Sequence, residues 1–88
     1  MTVLEQLDPK MMVSGPPPGA VNVRVGDRVE GPGGSWVPCA TEIATGVFCS
    51  SLFEVGAGRR QVCAANAPFR CPEEALSRAI ELASTAAA

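Results

Sequence analysis

The sequence contains no histidine and no tyrosine, and these two absences remove most familiar catalytic arrangements. Without histidine the chain has no side chain that ordinarily titrates near neutral pH, no Ser-His or Cys-His nucleophile pair and no histidine metal ligand. Aromatic residues make up only 5% of the chain, which is too few for a platform on which nucleic-acid bases stack. We therefore expect a protein that is not an enzyme and carries no cofactor.

Strong net charge and long apolar runs are also missing. The formal net charge of −2 lacks the basic excess that duplex binding normally needs. No run approaches the ~20 apolar residues that cross a bilayer. The segment Met1 to Val13 is interrupted by Glu5 and Asp8 and does not have the apolar stretch of a signal peptide. These features predict a cytoplasmic protein with reduced thiols and no membrane contact.

The length of 88 residues accommodates one small domain, because a chain of this size buries only about 60% of the surface that its unfolded form exposes. Three parts are predicted along it. Residues 1–13 form an N-terminal arm, and residues 14–20 form a linker whose proline triplet favours a polyproline II conformation. Residues 21–88 form a single domain of a β-sheet and a helix.

Alternating apolar residues and turn signals predict a small antiparallel sheet. Val21, Val23 and Val25 have the period of two that is typical of a half-buried strand. Thr45-Gly46 is predicted to be a two-residue hairpin turn, and a second turn is predicted at residues 56–59. Three to four strands follow from these signals.

The residues after Cys71 predict a C-terminal helix. Pro72 suits a first helical turn, and Glu73 and Glu74 suit the positive end of the helix dipole. Residues 85–88 are expected to fray, because nothing after Ala83 anchors them. The predicted fold class is α+β, a small antiparallel sheet of three to four strands with one C-terminal helix packed on one face. The helix residues predicted to face the sheet are Ala75, Leu76, Ala79, Ile80, Leu82 and Ala83.

The Thr45-Gly46 turn also predicts which residues share a face of the sheet. A two-residue loop places Ile43 opposite Phe48 and Cys39 opposite Leu52. A second loop of even length places Leu52 opposite Cys63, whereas a loop of odd length exchanges the faces of the last strand. The face predicted to lie under the helix comprises Val37, Cys39, Ile43, Phe48, Leu52, Cys63, Ala65 and Ala67.

The reverse face predicts an interaction surface, because it places apolar side chains where a small monomer normally has polar ones. The patch is centred on Trp36 and Phe53, and large aromatic residues of this kind anchor the cores of protein interfaces. The alternative is that the N-terminal arm covers this face, in the same chain or exchanged in a symmetric dimer. The predicted partner-binding residues are Trp36, Phe53, Val55, Val62, Arg59 and Arg60.

The function that these observations favour is a non-enzymatic protein-interaction domain that self-associates as a homodimer. Such a domain would act as a small inhibitor, adaptor or assembly component of a bacterial or viral system. No small-molecule substrate is inferred. Glu42 and Glu54 are predicted to lie on opposite faces of the sheet, so they do not form a catalytic carboxylate pair.

Two alternative functions stay open. The first is a nucleic-acid-binding accessory protein that uses the arginines of the hairpin tips with Arg24 and Arg28. The second is a metal-binding domain with four cysteine ligands, although the spacing contains no CxxC pair. We expect buried free thiols, with Cys39 and Cys63 on one face and Cys49 on the other. Cys71 is a candidate reactive thiol or an ordinary N-cap at the start of the helix.

Overall fold

The computed structural model describes residues 18–56, 60–64 and 68–88, together with the backbone of residues 12–13. Within this part of the chain it has six strands in one sheet and one C-terminal helix. The predicted α+β class is therefore confirmed, with more strands than the three to four expected. The elements are β1 (Met12–Val13), β2 (Val21–Val25), β3 (Val29–Gly31), β4 (Gly34–Ala44), β5 (Val47–Val55), β6 (Gln61–Ala64) and α1 (Pro72–Ala87).

The sheet is antiparallel throughout, with the order β1-β6-β5-β4-β2 and with β3 also paired to β4. β2 and β3 follow one edge of β4 as a single interrupted strand. Between them the amide of Gly26 donates to the carbonyl of Pro38 at 2.8 Å. At the opposite edge Val13 of β1 pairs with Cys63, so the end of the predicted arm contributes a strand. Residues 1–11 of the arm and residues 14–17 of the linker lie outside the described residues.

The β4–β5 hairpin turns where the sequence predicts, but it contains an extra residue. Ala44 pairs with Val47 across the Thr45-Gly46 turn, and Gly46 has a φ of 72°, a conformation that favours glycine. The register then shifts between Glu42 and Ala44, which makes Ile43 a β-bulge. A bulge places two residues of one strand against one of its partner, so every β4 residue beyond it pairs one position away from the prediction.

The bulge at Ile43 and the length of the chain between β5 and β6 decide which residues lie on each face of the sheet. The residues of β5 lie on the predicted faces. The bulge moves the residues of β4 to the opposite faces, and the odd number of residues between Phe53 and its partner Gln61 does the same for β6. The register predicted for β4 is therefore wrong, whereas β6 has the exchanged faces that the odd-length alternative for the second loop predicts. The helix face, which packs against α1, carries Trp36, Pro38, Ala40, Phe48, Ser50, Leu52 and Val62. The second face carries Asn22, Val37, Cys39, Thr41, Cys49, Ser51, Phe53, Val55, Gln61 and Cys63.

α1 packs on the helix face through small residues, as its sequence predicts. Trp36 and Leu52 form one buried cluster with Leu82 and the alanines near the end of the helix. The buried hydroxyl of Ser50 donates to the carbonyl of Ala75 at 2.7 Å, which ties β5 to the first turns of α1. Ile80 is 43% exposed, because it lies at the margin of the apolar stripe. Among the described residues no helix has the length and apolar character needed to span a membrane.

The C-terminal end of α1 is held by the glycine-rich hairpin between β3 and β4. The amide of Gly33 donates to the carbonyl of Ala87 at 2.9 Å. A Cβ atom on Gly31 or Gly33 would overlap the carbonyl oxygens of Ala87 and Ala86, so only glycine permits this close approach. Ala86 and Ala87 are buried. The expectation that the helix frays at its end is wrong, because the hairpin supplies the anchor.

Candidate functional site

A closed ring of hydrogen bonds lies at the centre of the second face. The hydroxyl of Thr41 donates its one proton to Oδ1 of Asn22 at 2.8 Å. Ser51 is therefore the donor in the 2.6 Å contact between the two hydroxyls. Nε2 of Gln61 donates to Oγ of Ser51 at 2.8 Å and to Oδ1 of Asn22 at 2.9 Å, which closes the ring. Every hydroxyl of the ring both donates and accepts.

The ring shows that the sheet curves toward the second face. Asn22 lies on β2 and Gln61 on β6, and β4 and β5 run between them. A flat sheet would separate these two strands by about 14 Å, three spacings of about 4.8 Å. Their side chains nevertheless meet at hydrogen-bonding distance. The curvature encloses Thr41 and Ser51, whose side chains have no exposed surface.

Three cysteines lie beside the ring on the same face. Cys39 pairs with Ser51, and Ser51 pairs with Cys63, so the three residues form one row across β4, β5 and β6. Cys49 lies two residues along β5 from Ser51, diagonal to Cys63. The prediction that Cys39 and Cys63 share a face is confirmed. The prediction that Cys49 points the other way is wrong, because both neighbouring strands are exchanged relative to β5.

The three thiols are free and buried, and their environment separates their proton affinities. Burial raises the pKa of Cys39. A hydrogen bond between the thiols of Cys49 and Cys63 lowers the pKa of Cys49 and, together with burial, raises the pKa of Cys63. The thiolate of Cys49 is thus the favoured anion of the pair, with Cys63 as its proton donor.

Cys71 lies apart from these three thiols, at the start of α1. It is half-buried, with an extended backbone at the N-cap position and no side-chain cap of the helix. Its thiol donates to Oε2 of Glu73 at 3.0 Å, and Arg24 forms an ion pair with the same carboxylate at 3.3 Å. The thiol hydrogen bond and Arg24 lower the pKa of Glu73. In the described part of the chain no group of three or more metal-ligating side chains converges.

An apolar strip lies on the second face beside the ring. It consists of Val37, Phe53 and Val55, all half-buried. Val37 and Phe53 are direct partners across β4 and β5, and Val55 follows two residues later on the same face. Trp36 and Val62, which the sequence predicts beside them, are instead buried at 6% and 9% exposure on the helix face. The exchanged faces of β4 and β6 explain this correction.

Four of the five arginines among the described residues form ion pairs with glutamates, and Arg70 is the fifth. Arg60, a predicted partner-binding residue, is exposed and pairs with Glu54, whereas Arg59 lies outside the described residues. Such surface pairs contribute about 0–1 kcal/mol to stability, but each places a carboxylate against the cation. The ion pairs are Arg24–Glu73, Arg28–Glu30, Arg60–Glu54 and Arg78–Glu81.

Glu42 and Glu54 are kept apart by their distance along the sheet, and not by lying on opposite faces of it. Glu42 and Glu54 both lie on the helix face, which corrects the prediction. Glu54 pairs with Trp36, six residues or about 20 Å along β4 from Glu42. Glu42 accepts a hydrogen bond from the amide of Gly46 at 3.2 Å. A depression of about 230 Å³ beside this turn is smaller than the roughly 300–1,000 Å³ of small-molecule pockets.

Sequence reasoning missed the hydrogen-bonded ring. Its signal is the presence of polar residues inside strands that are otherwise apolar, most clearly Thr41 in β4 and Ser51 in β5. The four polar residues meet only in the bulged register, since the predicted pairing puts Thr41 and Ser51 on different faces. The chain matches no family model, no curated protein and no solved structure. The functional assignment therefore rests on the residues themselves.

Proposed function

We propose that this protein is a non-enzymatic interaction domain that forms a homodimer by packing its apolar strip against the strip of a second copy. The observation that carries the proposal is the direct pairing of half-buried Val37 and Phe53, with Val55 beside them. These side chains lie on the face opposite α1. An aromatic residue flanked by aliphatic neighbours is the usual centre of a protein interface.

A second copy suits this strip because a two-fold axis brings the same residues together. The strip contains no charged side chain, so two copies meet without like-charge repulsion at the centre. Gln61, the direct partner of Phe53, and the adjacent Arg60 lie at its margin. Glu54 compensates the charge of Arg60 at 3.3 Å. The strip therefore has the apolar centre and polar rim of a protein interface.

The role within a cell is part of the same proposal. A domain of this size without a convergent catalytic group in its described part would act as an inhibitor, an adaptor or an assembly component of a bacterial or viral system. A cytoplasmic location fits its four free cysteines, because reducing compartments keep thiols unpaired.

The test is the solution mass of the reduced protein, measured by light scattering over a range of concentrations. We expect a dimer for the wild type and a folded monomer for Phe53→Asp, with folding checked by circular dichroism. Ile80→Asp is the matched control, because it places the same charge on an apolar residue of α1 that is 43% exposed, away from the strip. A wild-type protein that stays monomeric at every concentration contradicts the proposal.

The two alternatives give different results on the same samples. Nucleic-acid binding predicts an affinity for labelled DNA or RNA that falls steeply with salt. The four-cysteine metal domain predicts that a chelator unfolds the protein. The ion-paired arginines and the separation of Cys71 from the other thiols favour the interaction domain over both.

A further inference from the structure

We propose that Cys49 and Cys63 form a reversible redox pair, which a peroxide oxidises to a disulfide that joins β5 to β6. The pair is a modification site on the second face and does not depend on the proposed dimer. Its basis is the position of the two thiols in the sheet and their contact with each other.

The register places Cys49 diagonal to two cysteines, Cys63 on β6 and Cys39 on β4, and the contacts of the thiols distinguish between them. Ser51 pairs with Cys63, so Cys49, two residues along β5, is the diagonal neighbour of Cys63 on the same face. The two thiols are hydrogen-bonded to each other. Cys39 has the same diagonal relation to Cys49, but its thiol donates to the carbonyl of Val37 at 3.7 Å. Cys39 lies two strand spacings or about 10 Å from Cys63, beyond the reach of a disulfide. Cys71 is engaged with Glu73 at the start of α1.

The hydrogen bond assigns different chemical roles to the two sulfurs. Cys63 donates its proton toward Cys49, which lowers the pKa of Cys49 and raises that of Cys63. A thiolate is the reactive form of cysteine, so Cys49 is the nucleophile. Cys63 keeps its proton until the second step and acts as the resolving thiol.

The reaction balances with hydrogen peroxide as the oxidant. The thiolate of Cys49 attacks one peroxide oxygen, the O–O bond breaks, and the departing hydroxide takes up the proton that Cys49 released, giving a sulfenic acid and water. The sulfur of Cys63 then attacks the sulfur of Cys49. The S–S bond forms, the S–O bond breaks, and the hydroxyl leaves as a second water with the proton of Cys63. Both sulfurs are oxidised, and the peroxide is reduced to two waters.

The sheet explains both the access to this pair and its reversibility. β6 has four residues and lies between β5 and the two-residue β1, so few hydrogen bonds oppose a local opening that admits a small oxidant. Diagonal neighbours lie about 7–8 Å apart, whereas disulfides usually join Cα atoms about 4.4–6.8 Å apart. Closing the bond must draw the strands together, and a strained disulfide of this kind is readily reduced.

The test oxidises the reduced wild-type protein with hydrogen peroxide and alkylates the thiols that are left. We expect two of the four thiols to be lost together with two hydrogen atoms, and dithiothreitol to restore both. Cleavage after arginine and glutamate separates the cysteines, with Cys49 in residues 43–54 and Cys63 in residues 61–70. The disulfide is therefore identified as a link between these two peptides.

Single substitutions separate the roles, with circular dichroism as the check of folding. Cys39→Ser and Cys71→Ser should still lose two thiols. Cys63→Ser keeps a hydrogen-bond donor beside Cys49 and should stop at a sulfenic acid on Cys49 that dimedone traps, whereas Cys49→Ala should give no such adduct. The proposal is overturned if the wild type keeps all four thiols, if the linked peptides contain Cys39 or Cys71, or if Cys63→Ser forms an internal disulfide. The wild-type peptide map decides the question even if a variant fails to fold.

Discussion

The substitution Thr41→Val tests the hydrogen-bonded ring, because it keeps the shape of the side chain and removes only the hydroxyl. It leaves the proton of Ser51 without the acceptor at 2.6 Å and removes one of the donors to Asn22. A buried polar group left without a partner costs about 1–3 kcal/mol. Since Thr41 and Ser51 have no exposed surface, water does not replace the bond. We expect the free energy of unfolding to fall by about 2 kcal/mol.

The variant Ser51→Ala should cost less, and this asymmetry is the sharper part of the prediction. Thr41 still donates to Asn22 after that change, and Nε2 of Gln61 already lies 3.2 Å from Oγ1 of Thr41. The loss is about 1 kcal/mol, that of an ordinary hydrogen bond. The double variant Thr41→Val with Ser51→Ala no longer contains a Ser51 hydroxyl proton that lacks an acceptor. Its loss should therefore be smaller than the sum of the single losses by about 1 kcal/mol.

Equilibrium unfolding in urea measures these differences through the fluorescence of Trp36, the one tryptophan of the chain, which is 6% exposed. With a slope of about 1 kcal/mol per molar urea, a loss of about 2 kcal/mol lowers the midpoint by about 2 M. All variants are compared reduced and at one concentration, because the proposed dimerisation would make apparent stability depend on concentration. The reasoning is refuted if Ser51→Ala costs more than Thr41→Val, or if the losses add to within about 0.5 kcal/mol.

Three further substitutions test other parts of the molecule. Gly33→Ala should lower stability by about 1–3 kcal/mol and reduce helical circular dichroism, since the new methyl group overlaps the carbonyl of Ala86; unchanged helicity contradicts this packing. Phe48→Ala should cost about 3–5 kcal/mol in urea unfolding because its side chain is buried in the core, and a loss below about 1 kcal/mol would exclude that burial. Cys71→Ala should raise the folded-state pKa of Glu73, followed by carboxyl NMR titration, by removing the hydrogen bond that lowers it most. Because that folded pKa is depressed, Glu73 contributes stability above its unfolded pKa of about 4.3, and this stability is lost as the pH falls through the folded pKa. The pH range between the two pKa values should narrow in the variant. An identical titration curve would contradict the hydrogen bond between Cys71 and Glu73.

The proposed interface and the proposed redox pair occupy neighbouring parts of one face. Phe53 of the strip pairs with Gln61 of the ring, and the ring member Ser51 pairs with Cys63. Packing of a second copy over Phe53 would further restrict solvent at Gln61. The rate of oxidation should therefore be compared at low and at high protein concentration, where the monomer and the proposed dimer respectively would dominate.

Local signals were sufficient to predict the main hairpin and the helix, although they did not predict β1 at Met12–Val13. Thr45-Gly46 forms a turn because glycine adopts the positive φ of 72° that the second turn residue requires. The helix begins at Pro72 because proline fits a first turn, where its missing N–H is not needed. These preferences act over a few residues, so they can be read from the chain directly.

The faces of the sheet could not be predicted in the same way. One extra residue at Ile43 exchanges the faces of β4, and neither its composition nor that of its neighbours distinguishes a bulge from regular pairing. Trp36 is therefore buried under α1 where sequence periodicity predicts an exposed anchor. The side-chain period of a strand is two residues, so a shift of one residue reverses every assignment beyond it.

The sequence by itself determined the α+β class, the turn at Gly46, the helix from Pro72 and its small-residue face, because each depends on backbone preferences or on periodicity within one segment. Only the tertiary structure decided that Thr41 and Ser51 meet, that Cys49 lies beside Cys63, and that Gly33 holds the end of the helix. Those contacts join distant segments, and they depend on the pairing between strands, which the pattern within one segment does not specify.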